Sequence, residues 1–66
     1  MRFYLKMRVR YKDRFLFYCE DYDISLLEQT SGVWWYYCLI DCGINDFVQL
    51  ILDCGCYGME LEIFDK

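Results

Sequence analysis

The chain has 66 residues, 58% of them apolar, and a formal net charge of −4, with six of its seven basic residues among the first fourteen positions. This length excludes a multidomain organisation, so we expect a single compact domain over residues 1–66. No histidine, nucleotide-binding glycine motif or nucleophile-elbow serine is present, so we expect a non-enzymatic protein with no catalytic residues and no cofactor.

The first predicted element is a β-strand with one apolar and one basic face. Apolar side chains occupy the odd positions from Phe3 to Tyr11, and basic side chains occupy most even positions from Arg2 to Lys12. Strict alternation is typical of a strand that buries one face. We expect a tight turn at residues 12–14 and then a second strand from Phe15 to Cys19, which is apolar on both faces.

The next pattern predicts a short helix. Asp23 is placed to cap it, Ser25 and Glu28 have the spacing of a capping box, and Gly32 can end it. The segment from Val33 to Ile40 follows. It is rich in aromatic and β-branched residues and apolar on both faces, which predicts a strand.

A second helix and a last strand are predicted in the remaining segment. Asn45 is the predicted N-cap of the helix and Gly55 its end, and the polar and apolar residues between them separate onto opposite faces. A strand over residues 48–52 is the alternative. From Met59 to Ile63 apolar and acidic residues alternate, which predicts a strand whose acidic face is a natural neighbour for the basic face of the first strand.

These elements occur in the order β-β-α-β-α-β and predict an α+β fold, a mostly antiparallel four-stranded sheet with two short helices. Pairing between the first and last strands would neutralise two basic residues. It would leave other basic side chains free, and the candidate anion-binding residues are Arg8, Arg10 and Lys12.

The five cysteines are expected to be free thiols. Their number is odd, and the basic residues spread over the first twelve positions leave no apolar run of the kind a secretory signal needs. We therefore expect a reducing, cytoplasmic location, which is the host cytoplasm if the protein is phage-encoded. Their C-x₃-C and C-x-C spacings fit tetrahedral zinc poorly, so no metal ligand is assigned to Cys19, Cys38, Cys42, Cys54 or Cys56.

Two surfaces are candidates for binding a partner protein. The aromatic candidates Trp34, Trp35 and Tyr36 belong to a run of four aromatic residues that a pleated strand divides between its two faces. Burial of both faces in the core is the alternative. The second candidate is an acidic surface that could dock on a basic, nucleic-acid-handling protein, and a plain solvated face is its alternative. Its residues are Glu20, Asp21, Asp23 and Asp41.

In size and composition the chain is similar to small inhibitors encoded by phages and mobile elements, including anti-CRISPR proteins. We therefore expect a small acidic binding protein that acts stoichiometrically on a larger host protein, with an inhibitory, anti-defence role. We also expect a homodimer through the apolar segment Val33 to Ile40. Direct nucleic-acid binding is not expected for an acidic chain. The alternatives are an oligomeric protein that sequesters a small ligand or nucleotide on the basic strand, and a small structural zinc module.

Overall fold

A computed structural model describes residues 1–64. Its strands form one antiparallel sheet in the order β2-β3-β1-β4. Each helix connects two parallel strands that flank a third, which is the split β-α-β (ferredoxin-like) topology. In chain order the elements are β1 (Arg2–Arg8), a 3₁₀ turn (Val9–Tyr11), α1 (Lys12–Asp21), β2 (Ser25–Ser31), β3 (Trp35–Asp41), α2 (Ile44–Tyr57) and β4 (Glu62–Phe64).

Both helices pack on the same face of the sheet and enclose the hydrophobic core with it. The interior side chains come from alternate positions of the central strands β1 and β3 and from one face of each helix. Residues opposite one another in the β1–β3 register point to the same side, toward the helices. The buried core residues are Leu5, Met7, Phe15, Cys19, Ile24, Tyr36, Cys38, Ile40, Phe47, Leu50, Cys54 and Met59.

The first predicted strand is confirmed as β1, but it ends at Arg8, and the alternation predicted to continue to Lys12 is interrupted by the 3₁₀ turn and the start of α1. Lys6 is opposite Glu62 of β4, and its Nζ lies 3.8 Å from Oε2 of that residue. Arg2 Nε lies 3.9 Å from Oδ2 of Asp41. The prediction that pairing with the last strand neutralises two basic residues is wrong, because within residues 1–64 only Lys6 pairs with β4, whereas Arg2 pairs with Asp41 of β3.

The α+β class, with a four-stranded antiparallel sheet and two helices, is confirmed, but two predicted elements have the opposite type. Phe15 and Cys19 are four positions apart and share the buried face of α1, and the turn expected at residues 12–14 is its first turn. The segment expected to be helical after Asp23 is the edge strand β2, where pairing with β3 outweighs the capping-box pattern. Asp23 caps no helix and has a φ of 55° in the turn before β2.

The second predicted helix is confirmed as α2, with longer bounds. Gly43 is its N-cap, so Asn45 lies inside the helix, which continues through Gly55 to Tyr57. Gly58 ends it in the left-handed conformation, with a φ of 94°. The alternative strand over residues 48–52 is wrong. In the part of the chain that the structure describes, neither helix is long and apolar enough to cross a lipid bilayer.

The last strand, β4, begins later than the alternation from Met59 predicts. Met59 and Leu61 precede the strand and pack against the core. Phe64 is opposite Tyr4 of β1, and Ile63 is opposite the buried Leu5. Because side chains alternate along a strand, Phe64 therefore lies on the face of the sheet away from the helices.

We expect opposite effects on stability from alanine at the two glycines near the end of α2. Gly55 is inside the helix with open space around an added Cβ, so Gly55→Ala should stabilise the protein by about 0.5–1 kcal/mol. Gly58 has a φ of 94°, so Gly58→Ala should destabilise it by about 1–2 kcal/mol. Urea denaturation of both variants measures the difference, and shifts of the same sign would contradict this account of the helix end.

Candidate functional site

The sheet face opposite the helices carries four aromatic side chains and is covered by no helix within residues 1–64. Tyr4 and Trp35 alternate with core residues of β1 and β3 and so point away from the helices, as do Tyr37 and Phe64. We call this surface the open face. The residues that define it are Tyr4, Lys6, Arg8, Glu28, Thr30, Trp35, Tyr37, Leu39, Glu62 and Phe64.

Three of these rings surround a small cavity. The ring centroids of Tyr4 and Phe64 lie 5.9 Å apart, and those of Tyr37 and Phe64 lie 6.2 Å apart with the rings nearly perpendicular at 87°. Leu39 is only 6% exposed although it points away from the helices, and it forms part of the cavity lining. The cavity, which we call the aromatic cavity, has a volume of about 200 Å³ and is lined by Tyr4, Glu28, Gln29, Thr30, Tyr37, Cys38, Leu39 and Phe64.

Two cations contact the fourth ring, the indole of Trp35. Lys6 Nζ lies 4.1 Å from the ring centroid and the guanidinium carbon of Arg8 lies 4.3 Å from it. Both distances are within the range of cation–π attraction. Lys6 also pairs with Glu62, whereas Arg8 is exposed and contacts no carboxylate within residues 1–64. The Trp35 side of the open face is therefore basic.

The predicted anion-binding residues follow one another along the chain where β1 leads into α1, with Arg8 at the end of β1, Arg10 in the 3₁₀ turn and Lys12 at the start of α1. Arg10 lies over the ring of Tyr11, and Lys12 lies over the ring of Tyr36. The guanidinium carbon of Arg14, in the first turn of α1, lies 4.9 Å from the centroid of the Tyr57 ring. None of the ion pairs among residues 1–64 involves Arg8, Arg10, Lys12 or Arg14. We call this group the basic end, and its members are Arg8, Arg10, Lys12 and Arg14.

The predicted acidic surface is brought together only in part. Glu20 and Asp21 lie in the last turn of α1 and Asp23 in the turn after it, and all three are exposed. Asp41 is at the end of β3, where its Oδ1 lies 3.2 Å from the amino group of Met1 and its Oδ2 contacts Arg2. Because α1 runs from the basic end toward these acids, the charge asymmetry of the sequence becomes a separation in space.

The aromatic candidates have three different environments. Trp34 is 69% exposed in the loop before β3, and Trp35 is half-buried on the open face. Tyr36 is 0% exposed in the core, and its hydroxyl donates a hydrogen bond to Oε1 of Gln29 at 2.9 Å. Burial also raises the pKa of Tyr36. The assignment of Tyr36 to a partner surface was wrong, because the alternation along β3 turns it toward the helices.

None of the residues around the aromatic cavity is among the candidate site residues that the sequence patterns indicate. The alternation in β1 and β3 could have placed Tyr4 and Tyr37 on one face, since each is flanked by residues of the opposite face. The capping-box spacing predicts that Glu28 lies in a helix, whereas it lies in β2. Phe64 fell outside the predicted last strand, so its position beside Tyr4 was not foreseeable from the pattern.

The five cysteines are free thiols, three of them in the core. Cys19 and Cys38 are buried, and this burial raises the pKa of each to about 12. Burial also raises the pKa of Cys54 to about 11 and that of the half-buried Cys42, while Cys56 is exposed. A thiol with a raised pKa is a poor nucleophile. Residues 1–64 contain no group of three or more cysteine and carboxylate side chains arranged to hold a metal ion.

Comparison with known proteins finds no family model, no curated protein and no solved structure that matches this chain. The topology supports many unrelated functions and identifies none by itself.

The free energy of unfolding is expected to fall as the pH rises from about 9 toward 12. The unfolded chain ionises its thiols near their ordinary pKa of 9.0, whereas the folded protein keeps Cys19 and Cys38 protonated to about pH 12. Each of these thiols has a higher pKa in the folded protein than in the unfolded chain. Its contribution to the free energy of unfolding is therefore complete below pH 9 and is lost as the pH rises through the pKa of the folded protein.

Urea denaturation at stepped pH measures this dependence. Cys38→Ala should make the alkaline loss of stability shallower, whereas Cys56→Ser, at an exposed thiol, should leave it unchanged. An alkaline slope that is the same in Cys38→Ala as in the native sequence would show that burial of this thiol is not its cause.

Proposed function

We propose that this protein is a non-enzymatic binding protein that docks stoichiometrically on a larger protein through the open face of its sheet. One observation carries the proposal: both helices cover one face, while Tyr4, Trp35, Tyr37 and Phe64 lie on the other. Aromatic residues and arginine are enriched where protein interfaces concentrate their binding energy. An inhibitor of this size, of the kind that phages encode against host defences, would act by covering a site on its target.

The distribution of charge on the open face supports a protein partner. Lys6 and Arg2 are paired with carboxylates, which leaves an aromatic centre with charged residues around it. An apolar centre with a polar rim is the usual anatomy of a protein interface. Contacts between rings and cations hold the side chains in place before binding, which lowers the entropic cost of association.

The acidic residues near the end of α1 act on the partner through their long-range electrostatic field and not by direct contact at the open face. Glu20, Asp21 and Asp23 lie at the end of α1 and are not part of the open face. They make the molecule acidic, and a long-range field of this sign steers a protein toward a basic partner. The net charge of −4 also disfavours nucleic acid, because binding its phosphates rewards a positive surface.

We expect the partner complex to depend on Tyr37 of the open face and not on Phe17, a more exposed ring on α1. Tyr37 is 39% exposed on the open face, and Phe17 is 57% exposed on α1. Tyr37→Ser should weaken the complex at least about tenfold, as for an interface anchor, while Phe17→Ser should leave it intact. Tagged variants captured from native cell lysate, with circular dichroism to confirm folding, provide the measurement.

Two results would contradict this surface assignment. Loss of the partner in Phe17→Ser alone would place the interface on α1. A complex that survives Tyr37→Ser would remove the open face from the interface. Light scattering of the purified native protein and of Tyr37→Ser shows whether the expected homodimer uses the same face. If it does, Tyr37→Ser should also reduce self-association.

The basic end supports a second candidate function, the sequestration of a small anion or nucleotide. Arg8, Arg10, Lys12 and Arg14 contact aromatic rings and make none of the ion pairs within residues 1–64, although the chain has more acids than bases. Cations that no carboxylate neutralises raise the local positive potential, which is the electrostatic requirement for an anion site.

Titration calorimetry with pyrophosphate and ATP tests this second candidate. If it is correct, binding should weaken steeply with added salt and should be lost in the double variant Arg8→Gln, Arg10→Gln. The matched control is Arg2→Gln, because Arg2 is already paired with Asp41 and should not contribute. Absence of binding at millimolar anion concentration would exclude this function.

A further inference from the structure

We infer that the aromatic cavity receives one basic side chain, arginine or lysine, from the partner protein. This inference rests on the proposed function, because it identifies the chemistry that the partner presents to the open face. It is carried by three rings, Tyr4, Tyr37 and Phe64, which line the cavity together with the acidic residue Glu28.

The arrangement of the rings suits a cation. The rings of Tyr37 and Phe64 are nearly perpendicular, and Tyr4 lies beside Phe64 at a tilt of 38°. Because these rings contact one another and are not parallel, a group in the cavity that they line meets aromatic surfaces in more than one direction. Because the faces of aromatic rings carry partial negative charge, a cavity walled by several rings attracts organic cations.

The size of the cavity suits a single side chain. Its volume of about 200 Å³ is below the roughly 300–1,000 Å³ of pockets that hold whole cofactors or drug-sized ligands. Leu39 forms an apolar part of the lining, against which the aliphatic stem of a lysine or arginine can pack. The cavity is open to solvent at the surface that the partner covers.

The charges around the cavity favour a cation over an anion. Glu28 is exposed and makes none of the ion pairs within residues 1–64, so its carboxylate is available to an incoming guanidinium or ammonium group. Lys6 lies next to the cavity, over Tyr37 at 5.9 Å, but its charge is offset by Glu62. With these three charges counted, the surroundings of the cavity carry a net negative charge.

Blocked tripeptides test the inference without knowledge of the partner. We use Gly-Arg-Gly and Gly-Lys-Gly, with Gly-citrulline-Gly as a neutral control that keeps the shape of arginine. NMR spectra report binding through the Leu39 methyl groups and the rings of Tyr4, Tyr37 and Phe64. The basic peptides should shift these resonances with dissociation constants on the order of 1 mM, and citrulline should bind about fivefold more weakly or less.

Variants identify the groups responsible. Glu28→Gln should weaken binding of the arginine peptide about threefold, whereas Glu60→Gln, which removes an exposed acid that does not line the cavity, should not change it. Tyr37→Leu keeps an apolar surface but removes a ring, and should weaken binding about fivefold. Lys6→Gln should strengthen binding, since it removes a like charge; an anion or nucleotide site would respond in the opposite direction.

Three results would overturn the inference. Equal binding of the citrulline peptide would show that the cavity takes any side chain of that shape. A stronger shift of Leu39 with Gly-Glu-Gly would show that the open face takes acidic partners. No change at Leu39 with either basic peptide, in a protein that remains folded, would show that the cavity takes no free basic side chain.

The outcomes also separate this inference from the proposed function. If Tyr37→Ser loses the partner while arginine and citrulline peptides bind equally, the docking surface stands and the cation specificity fails. If the arginine peptide binds selectively but the partner complex survives Tyr37→Ser, the cavity has the stated chemistry and the proposed interface fails.

Discussion

The placement of both helices on one side of the sheet determines where every other feature of this protein lies. Each helix joins two parallel strands across an intervening one, and right-handed crossovers in such units bring both helices to the same face. That face holds the whole hydrophobic core, from Phe15 of α1 to Leu50 of α2. Within residues 1–64 no further element remains to cover the other face, so its aromatic side chains stay in contact with solvent.

The path of the chain converts the charge asymmetry of the sequence into a separation of charge in space. The basic residues near the start follow β1 outward to Arg8, and α1 then carries the chain back toward Glu20 and Asp21. The two poles of charge therefore lie at opposite ends of one helix. Ion pairs neutralise only part of the basic strand, and exposed pairs of this kind stabilise a protein by at most about 1 kcal/mol. Contacts with rings take the place of carboxylates for the remaining cations.

The open face is itself divided in two. Around Trp35 it is basic, through Lys6 and Arg8, and around the aromatic cavity it is acidic, through Glu28. A protein that matches both parts must present an acidic and a basic group at a fixed separation. Such a requirement gives specificity more than affinity, because an incorrect partner brings like charges together. Of the buried thiols, Cys19 and Cys54 lie on the helices and take no part in this surface, whereas Cys38 of β3 is among the residues that line the aromatic cavity.

Local pattern in the sequence was enough to identify β1, β3 and α2 but not their ends, since β3 spans Trp35–Asp41 where the pattern predicts Val33 to Ile40. In each of these elements, burial of one or both faces requires apolar residues at regular intervals along the sequence. Examples are the alternation around Leu5 in β1 and the apolar stripe of α2. From the same patterns the α+β class, the antiparallel sheet and the charge asymmetry could all be predicted.

Only the tertiary structure decided the type of α1 and β2. Five apolar residues from Phe15 to Cys19 fit a strand or a helix equally well, and the polar β2 is a strand because β3 offers its backbone a hydrogen-bonded partner. The tertiary structure also decided the candidate site. The aromatic cavity joins β1, β2, β3 and β4, and a contact between strands distant in sequence depends on register and sheet order, which no local pattern contains.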